Sequence, residues 1–222
     1  MEERFHIFCG HFGSGKSEIA VNFALKCKQE GKDVAIVDLD IVNPYFRTND
    51  VREMLIASGI EVIAPQYANS NLDMPTVPAD IMKVFNTGGK TVIFDVGGDE
   101  DGAYALGRYL EFFKKEPYRM YLVANAKRPL TGTPEEICQI AGEIETASRL
   151  KFTDAVNNTN IGGMSTADVL LSGSNAVEKV AEMLGIPVSM YCIKRGVDGD
   201  LPEDIKAKLF EIDIQIKMPW ER

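Results

Sequence analysis

The chain has no paired cysteines, no long apolar run and no excess of positive charge, and each absence removes a class of function. Its four cysteines, Cys9, Cys27, Cys138 and Cys192, are scattered through 222 residues without a CxC or CxxC pair. That spacing argues against a disulfide framework, a zinc site and a subunit-bridging iron–sulfur cluster. The longest apolar stretches, Val34–Val37 and Met120–Ala124, fall far short of the ~20 residues that span a bilayer. The opening Met1-Glu2-Glu3 lacks the basic start and apolar run of a secretory signal. The sequence therefore predicts a cytoplasmic protein with no membrane anchor. Acidic residues number 33 against 24 basic ones, for a formal net charge of -9. Such a surface repels phosphate backbones, so no nucleic-acid partner is expected, although the net value leaves room for a local basic patch.

What is present suits a globular α/β chain. Hydrophobic residues make up 45% and charged residues 26% of the sequence, ordinary proportions for a folded domain. The length and the absence of an obvious linker predict one domain over residues 1–222. Short apolar runs alternate with longer amphipathic ones, the pattern of βαβ units and a mainly parallel sheet. Strands are predicted at Phe5–Cys9, Val34–Asp38, Glu61–Ala64, Thr91–Asp95, Met120–Ala124, Asp154–Asn157 and Val188–Cys192. Most are apolar nearly throughout, as strands covered on both faces should be. Helices are predicted at Lys16–Glu30, ending at Gly31; at Asp101–Lys115; at Pro134–Leu150, with Thr133 as N-cap; and at Thr166–Leu184, ending at Gly185. In the tail, Ile212, Ile214 and Ile216 alternate with polar residues, which predicts an edge strand with one wet face. The segment Gln66–Pro78, rich in proline and asparagine, reads either as a functional insertion or as a plain surface loop.

The strongest signal is Gly10-His11-Phe12-Gly13-Ser14-Gly15-Lys16-Ser17, which matches GxxxxGK[ST] between an apolar strand and an amphipathic helix. Glycines let the backbone curl so that successive N–H groups face phosphate oxygens. The N-terminus of the following helix adds about half a positive charge. Lys16 is placed to reach the β- and γ-phosphates, and the Ser17 hydroxyl to coordinate Mg²⁺.

A phosphate loop of this kind needs carboxylates at strand ends to hold Mg²⁺ or its waters. Thr91-Val92-Ile93-Phe94-Asp95 supplies Asp95, and Gly98 completes a DxxG pattern whose backbone N–H can sense a γ-phosphate. Val34-Ala35-Ile36-Val37-Asp38-Leu39-Asp40 supplies two more acids at the end of the next strand. One of Asp38 and Asp40 suits a metal-bound water and the other an attacking water. The plainer alternative for both is strand-end capping.

These elements, in this order, resemble the MinD/ParA/Mrp-type P-loop ATPases of the SIMIBI class (the CobQ/CobB/MinD/ParA nucleotide-binding domain). The similarity runs from Phe5 to about Cys192 and includes Val37-Asp38-Leu39-Asp40 followed by Asn43-Pro44. The resemblance implies a three-layer Rossmann-like P-loop NTPase fold with a mainly parallel sheet, and ATP and Mg²⁺ as cofactors. It implies that Asp40 orients the attacking water, that Lys16 shares in catalysis, and that Asp38 and Asp95 assist at Mg²⁺ beside Ser17. It also implies that an asparagine after a later strand reads the adenine edge. Asn158 is the choice within Val156-Asn157-Asn158-Thr159-Asn160, with Asn157 close behind; a simple turn is the alternative. Asn125-Ala126-Lys127-Arg128 fails the guanine-reading NKxD box.

One departure stands out. Partitioning members of that family carry a lysine where this chain has His11, and that lysine reaches a partner subunit's phosphates. At an ordinary pKa His11 is mostly neutral, so it either contacts phosphate weakly or packs the loop. The leading reading is an ATPase whose nucleotide state switches a protein client or a second copy of the chain. Asn43-Pro44-Tyr45-Phe46-Arg47 and Asp99-Glu100-Asp101 would be its moving segments. The alternative is an ATP-dependent small-molecule kinase or ligase resembling dethiobiotin synthetase or the cobyrinate amidases, with Arg47, Lys127 and Arg128 as candidate partners for a substrate carboxylate.

Overall fold

The computed structural model describes residues 3–40, 51–64, 81–86, 88–98, 100–197 and 199–216. The predicted segments Asn43–Arg47 and Gln66–Pro78, and Asp99, lie outside them. Among the described residues eight strands form one sheet: β1 Phe5–Cys9, β2 Val34–Leu39, β3 Glu61–Ile63, β4 Thr91–Val96, β5 Tyr118–Ala124, β6 Asp154–Asn157, β7 Val188–Lys194 and β8 Leu209–Ile212. Their order is β3-β2-β4-β1-β5-β6-β7-β8, and all neighbours run parallel. The β1 and β6 boundaries match the sequence reading; the other predicted strands, the tail strand apart, differ by one or two residues at an end.

Side chains alternate across the sheet and divide the core in two. Phe5, Ile7 and Cys9 of β1 join Ala35, Val37, Val92 and Phe94 on one face. Phe8, Ile36 and Ile93 join the other face, beneath helix α1 (Lys16–Gln29) through Ile19, Ala20 and Ala24. Helix α2 (Arg52–Ala57) adds Leu55 to this second face. The first face is covered by α3 (Ile81–Asn86), α4 (Glu100–Gly107), α5 (Leu110–Phe113), α6 (Pro134–Ser148), α7 (Ala167–Leu184) and α8 (Glu203–Lys206). The result is the expected three-layer α/β fold, with apolar side chains packed on both faces of the sheet.

Two predicted elements need correction. Asp101–Lys115 is not one helix but two, α4 and α5, with a turn at residues 108–109. The α4 terminus is held by the α6 end instead: the Arg149 guanidinium donates to the Gly107 carbonyl at 2.7 Å. The predicted tail strand over Ile212–Ile216 lies earlier, at Leu209–Ile212. It does form the sheet edge, with Phe210 and Ile212 buried and Glu211 exposed. Beyond Ile212 the backbone bonds to α1 side chains. Asn22 donates to the Asp213 carbonyl and accepts its N–H, and the Glu18 carboxylate accepts from the Gln215 and Ile216 N–H groups. Helices α2, α3 and α8 escaped the sequence reading, because six residues or fewer show too little of a 3.6-residue period. Thr133 caps α6 as predicted, in a reciprocal capping box with Glu136.

Candidate functional site

The loop between β1 and α1 lies where the strand order reverses: the chain leaves β1 towards β2, and after β4 it crosses to β5 on the opposite side. Ligands of open parallel sheets gather at the carboxyl ends of strands at such a point. The sequence folds tightly there because Gly10 adopts φ 150°, and a Cβ at that position would stand 2.2 Å from the Val123 carbonyl oxygen. The Ser14 N–H donates to the His11 carbonyl at 3.1 Å, closing the turn. Lys16 is only 6% exposed, and its ammonium folds back over the loop to within 3.4 Å of the same carbonyl. Ser17 is buried at the first turn of α1, while Phe12 at the loop tip is 57% exposed. The Ser14 hydroxyl is buried and has no hydrogen-bond partner among the described residues.

The carboxylates gather beside this loop. Asp38 and Asp95 are opposite one another in the β2–β4 register, and Asp95 neighbours Phe8 of β1 on its other side. By strand alternation both share the sheet face of Ile36 and Ile93, the face that α1 covers. Their side chains are therefore directed to the side where Lys16 and Ser17 begin the helix. Past the strand end, the Asp40 N–H donates to the Asp38 carboxylate at 3.0 Å, so the chain turns and separates the two acids. Asp38, Asp40 and Asp95 are all buried. Gly98 presses on the loop from the β4 side: a Cβ there would lie 2.6 Å from the Phe12 nitrogen and 2.9 Å from the Gly10 carbonyl oxygen. The Asp95–Gly98 segment and the glycine loop thus touch backbone to backbone.

Two neighbouring groups have ionisation shifted by the site. Burial, reinforced by the Lys16 charge, lowers the His11 pKa, so its imidazole is neutral near pH 7. Burial pushes the Cys9 thiol up and keeps it protonated, as expected of a core cysteine.

The donor set fits Mg²⁺: the Ser17 hydroxyl and the Asp38 and Asp95 carboxylates are hard oxygen ligands. Among the described residues no three His, Cys, Asp or Glu side chains form a metal cage. Mg²⁺ commonly keeps several waters and shares phosphate oxygens, which is the mode such a sparse set can serve.

On the other side of β1 the groups are amides and a guanidinium. Asn158 donates to the Ser14 carbonyl at 2.7 Å and so braces the glycine loop from the β6 end. Asn157, its neighbour, points elsewhere: its amide donates to the Leu170 carbonyl and the Ser174 hydroxyl of α7. Asn125, which the sequence reading used only to reject a guanine box, ties the β5 and β6 ends together. It donates to the Asn160 carbonyl and accepts the Lys127 and Asn160 N–H groups. Thr159 adds to that tie by accepting the Ala126 N–H. A polar residue at the end of an otherwise apolar strand is the only sequence mark these groups carry.

Among the described residues no helix is long and apolar enough to cross a membrane. No protein-family model matches the chain, and no curated protein matches it significantly. Solved structures do. FtsY from Mycoplasma mycoides superposes with a TM-score of 0.56 at 20% identity, over 86% of this chain and 60% of that one. Cell division protein FtsY from Thermotoga maritima gives 0.59 at 20% identity, over 89% and 63%. The signal recognition particle 54 kDa protein from Aeropyrum pernix K1, in complex with GDP, gives 0.52 at 15% identity, over 85% and 41%. The chain thus spans about three fifths of the FtsY chains and less of the 54 kDa protein. At such identities the likeness concerns the fold, and the narrower resemblance to MinD/ParA/Mrp-type ATPases rests on the sequence motifs. The eight-stranded parallel sheet, its alternating helices and the glycine loop after β1 have the α/β architecture of P-loop NTPases.

Proposed function

We propose that this chain binds a nucleoside triphosphate with Mg²⁺ and hydrolyses it slowly, as a switch acting on a protein partner. The observation that carries the reading is the meeting of Lys16, Ser17, Asp38 and Asp95 on one face at the ends of β1, β2 and β4. In this reading the loop N–H groups and Lys16 hold the phosphates and stabilise charge that develops on the transferred group. Ser17, with Asp38 and Asp95 assisting, would hold Mg²⁺, which would supply neutralisation of the phosphate charge. Asp40 accepts a proton from, or orients, the attacking water. Gly98 carries the change onward, because its backbone abuts the loop and α4 begins two residues later. His11, neutral and half-buried, does not replace a phosphate-binding lysine, so turnover without a partner is slow.

ATP is the proposed nucleotide. Guanine presents two donors that a carboxylate accepts together, and neither Asn125–Arg128 nor Asn157–Asn160 contains a carboxylate. An amide offers the donor and acceptor together that the adenine edge needs. The 54 kDa neighbour was solved with GDP, which makes guanine the competing outcome. Calorimetry of the purified chain with MgATP and MgGTP decides it: the expected result is tighter binding of ATP, and a reversed preference would overturn the adenine assignment. Heat from neither would overturn the whole reading. Phosphate release stimulated by a small carboxylic acid would instead assign the chain to the kinase or ligase class.

A further inference from the structure

The loop after β5 carries a cation that the proposed mechanism leaves unused. Arg128 is exposed, yet its Nε donates to the Gly13 carbonyl of the glycine loop at 3.1 Å, across 115 residues of sequence. A Cβ on Gly13 would lie 3.6 Å from that nitrogen and 3.8 Å from the guanidinium carbon, so the group rests against the loop. Its supporting turn is tightly held. The Asn125 carbonyl accepts from the Thr131 hydroxyl at 2.8 Å and from the Arg128 N–H at 3.2 Å. The Thr131 hydroxyl also donates to the Arg128 carbonyl at 3.3 Å. Leu130 is held at φ 65°, a conformation that side chains rarely adopt and that costs of order 1 kcal/mol. Asn125 joins this turn to Asn160, and Asn158 joins the β6 end to Ser14. Three loops are thereby locked into one rigid edge with Arg128 at its rim.

Strand order fixes which end of a nucleotide this rim meets. Asp95 and Asp38 stand on the β4–β2 side of β1, so the metal and terminal phosphate belong there. Arg128 stands on the β5–β6 side, the end that this placement leaves for the sugar and base. We infer that Arg128 forms the wall of a base subsite, its guanidinium plane lying against the face of the purine. The inference rests on the nucleotide reading above. A guanidinium is planar, permanently charged and weakly hydrated, and it lies flat on aromatic faces, whereas an ammonium meets them only as a point charge.

The test compares MgATP, MgADP and inorganic tripolyphosphate, the last having phosphates but no base, on wild type, R128A and R128K. R128A is expected to weaken ATP and ADP alike by roughly 3- to 30-fold while tripolyphosphate affinity stays at the wild-type value. R128K is expected to recover only part of the loss, since it restores charge but not the plane. Equal loss of tripolyphosphate affinity, full recovery in R128K, or unchanged ATP affinity in R128A would each overturn the assignment. These outcomes differ from failure of the nucleotide reading itself, in which the wild-type chain binds none of the three ligands. Because Arg128 is exposed, thermal melts of the variants should match wild type and exclude unfolding as the cause.

Discussion

On the β4–β2 side of β1 the candidate site is made of backbone and acids: a glycine turn, the Lys16 ammonium, and Asp38 and Asp95 in adjoining register. On the β5–β6 side it is made of amides and a guanidinium, Asn125, Asn158 and Arg128, bonded to loop carbonyls. The first half supplies what any triphosphate with a hard cation requires, so its residue types are narrowly constrained. In the proposed reading the second half meets a base and a sugar, which many side-chain combinations can satisfy. Generic grip and particular choice are therefore physically separated by one strand, and each can be perturbed alone.

The largest effect should come from the acid-and-backbone side. Lys16→Ala removes the only loop cation and is expected to weaken MgATP by roughly 100-fold or more, as loss of more than one charged hydrogen bond would. Calorimetry measures it, with tripolyphosphate losing affinity in parallel; retained binding would mean the phosphates lie elsewhere. Asp40→Ala should cut phosphate release by about 100-fold, the scale of a lost general base, while affinity stays near wild type. A comparable loss of affinity would assign Asp40 to binding and blur the separation of roles.

A third measurement uses the far end of β1 as a reference. His6 is buried beside Tyr121, with its Nδ1 3.0 Å from the phenol oxygen. Burial first, and the Lys32 charge second, lower its pKa from 6.5 to about 4. Between those values the unfolded chain binds a proton that the folded chain does not. Its contribution to stability is therefore complete above about pH 6.5 and is lost as pH falls towards 4. From pH 8 to pH 5 the loss due to His6 is about 2 kcal/mol, to be read from urea midpoints. His6→Leu should flatten that decline; an unchanged slope would trace it to other groups. The smallest effect belongs to the amide side. Asn158→Ala should weaken MgATP by about 10-fold, roughly one buried hydrogen bond. Because Asn158 is buried and braces Ser14, tripolyphosphate should weaken too, whereas the exposed bond from Arg128 to Gly13 is expected to contribute little to the loop. If tripolyphosphate binding is untouched, the brace does not shape the phosphate loop.

Much of the first half was legible in the sequence. Gly10–Ser17 names its own chemistry, and Asp38 and Asp95 announce themselves as acids ending apolar runs. The second half was legible only as residue types. Arg128 was noticed as a cation but matched to a substrate carboxylate, and Asn125 only as a failed box. Asn157 and Asn158 could not be separated, since adjacent strand-end residues point to opposite faces and nothing local says which faces the loop. The tail misled for a related reason: alternating isoleucines imitate a strand, but Glu18 and Asn22 take up the backbone that would have extended it.

By itself the sequence determined the strand–loop–helix unit, most of the strands and the acids that end them, because backbone conformation and apolar periodicity are local properties. Tertiary structure alone decided which distant groups share a wall. Arg128 meets Gly13 across 115 residues and Asn158 meets Ser14 across 144, through the order in which parallel strands assemble, and no local pattern encodes that order.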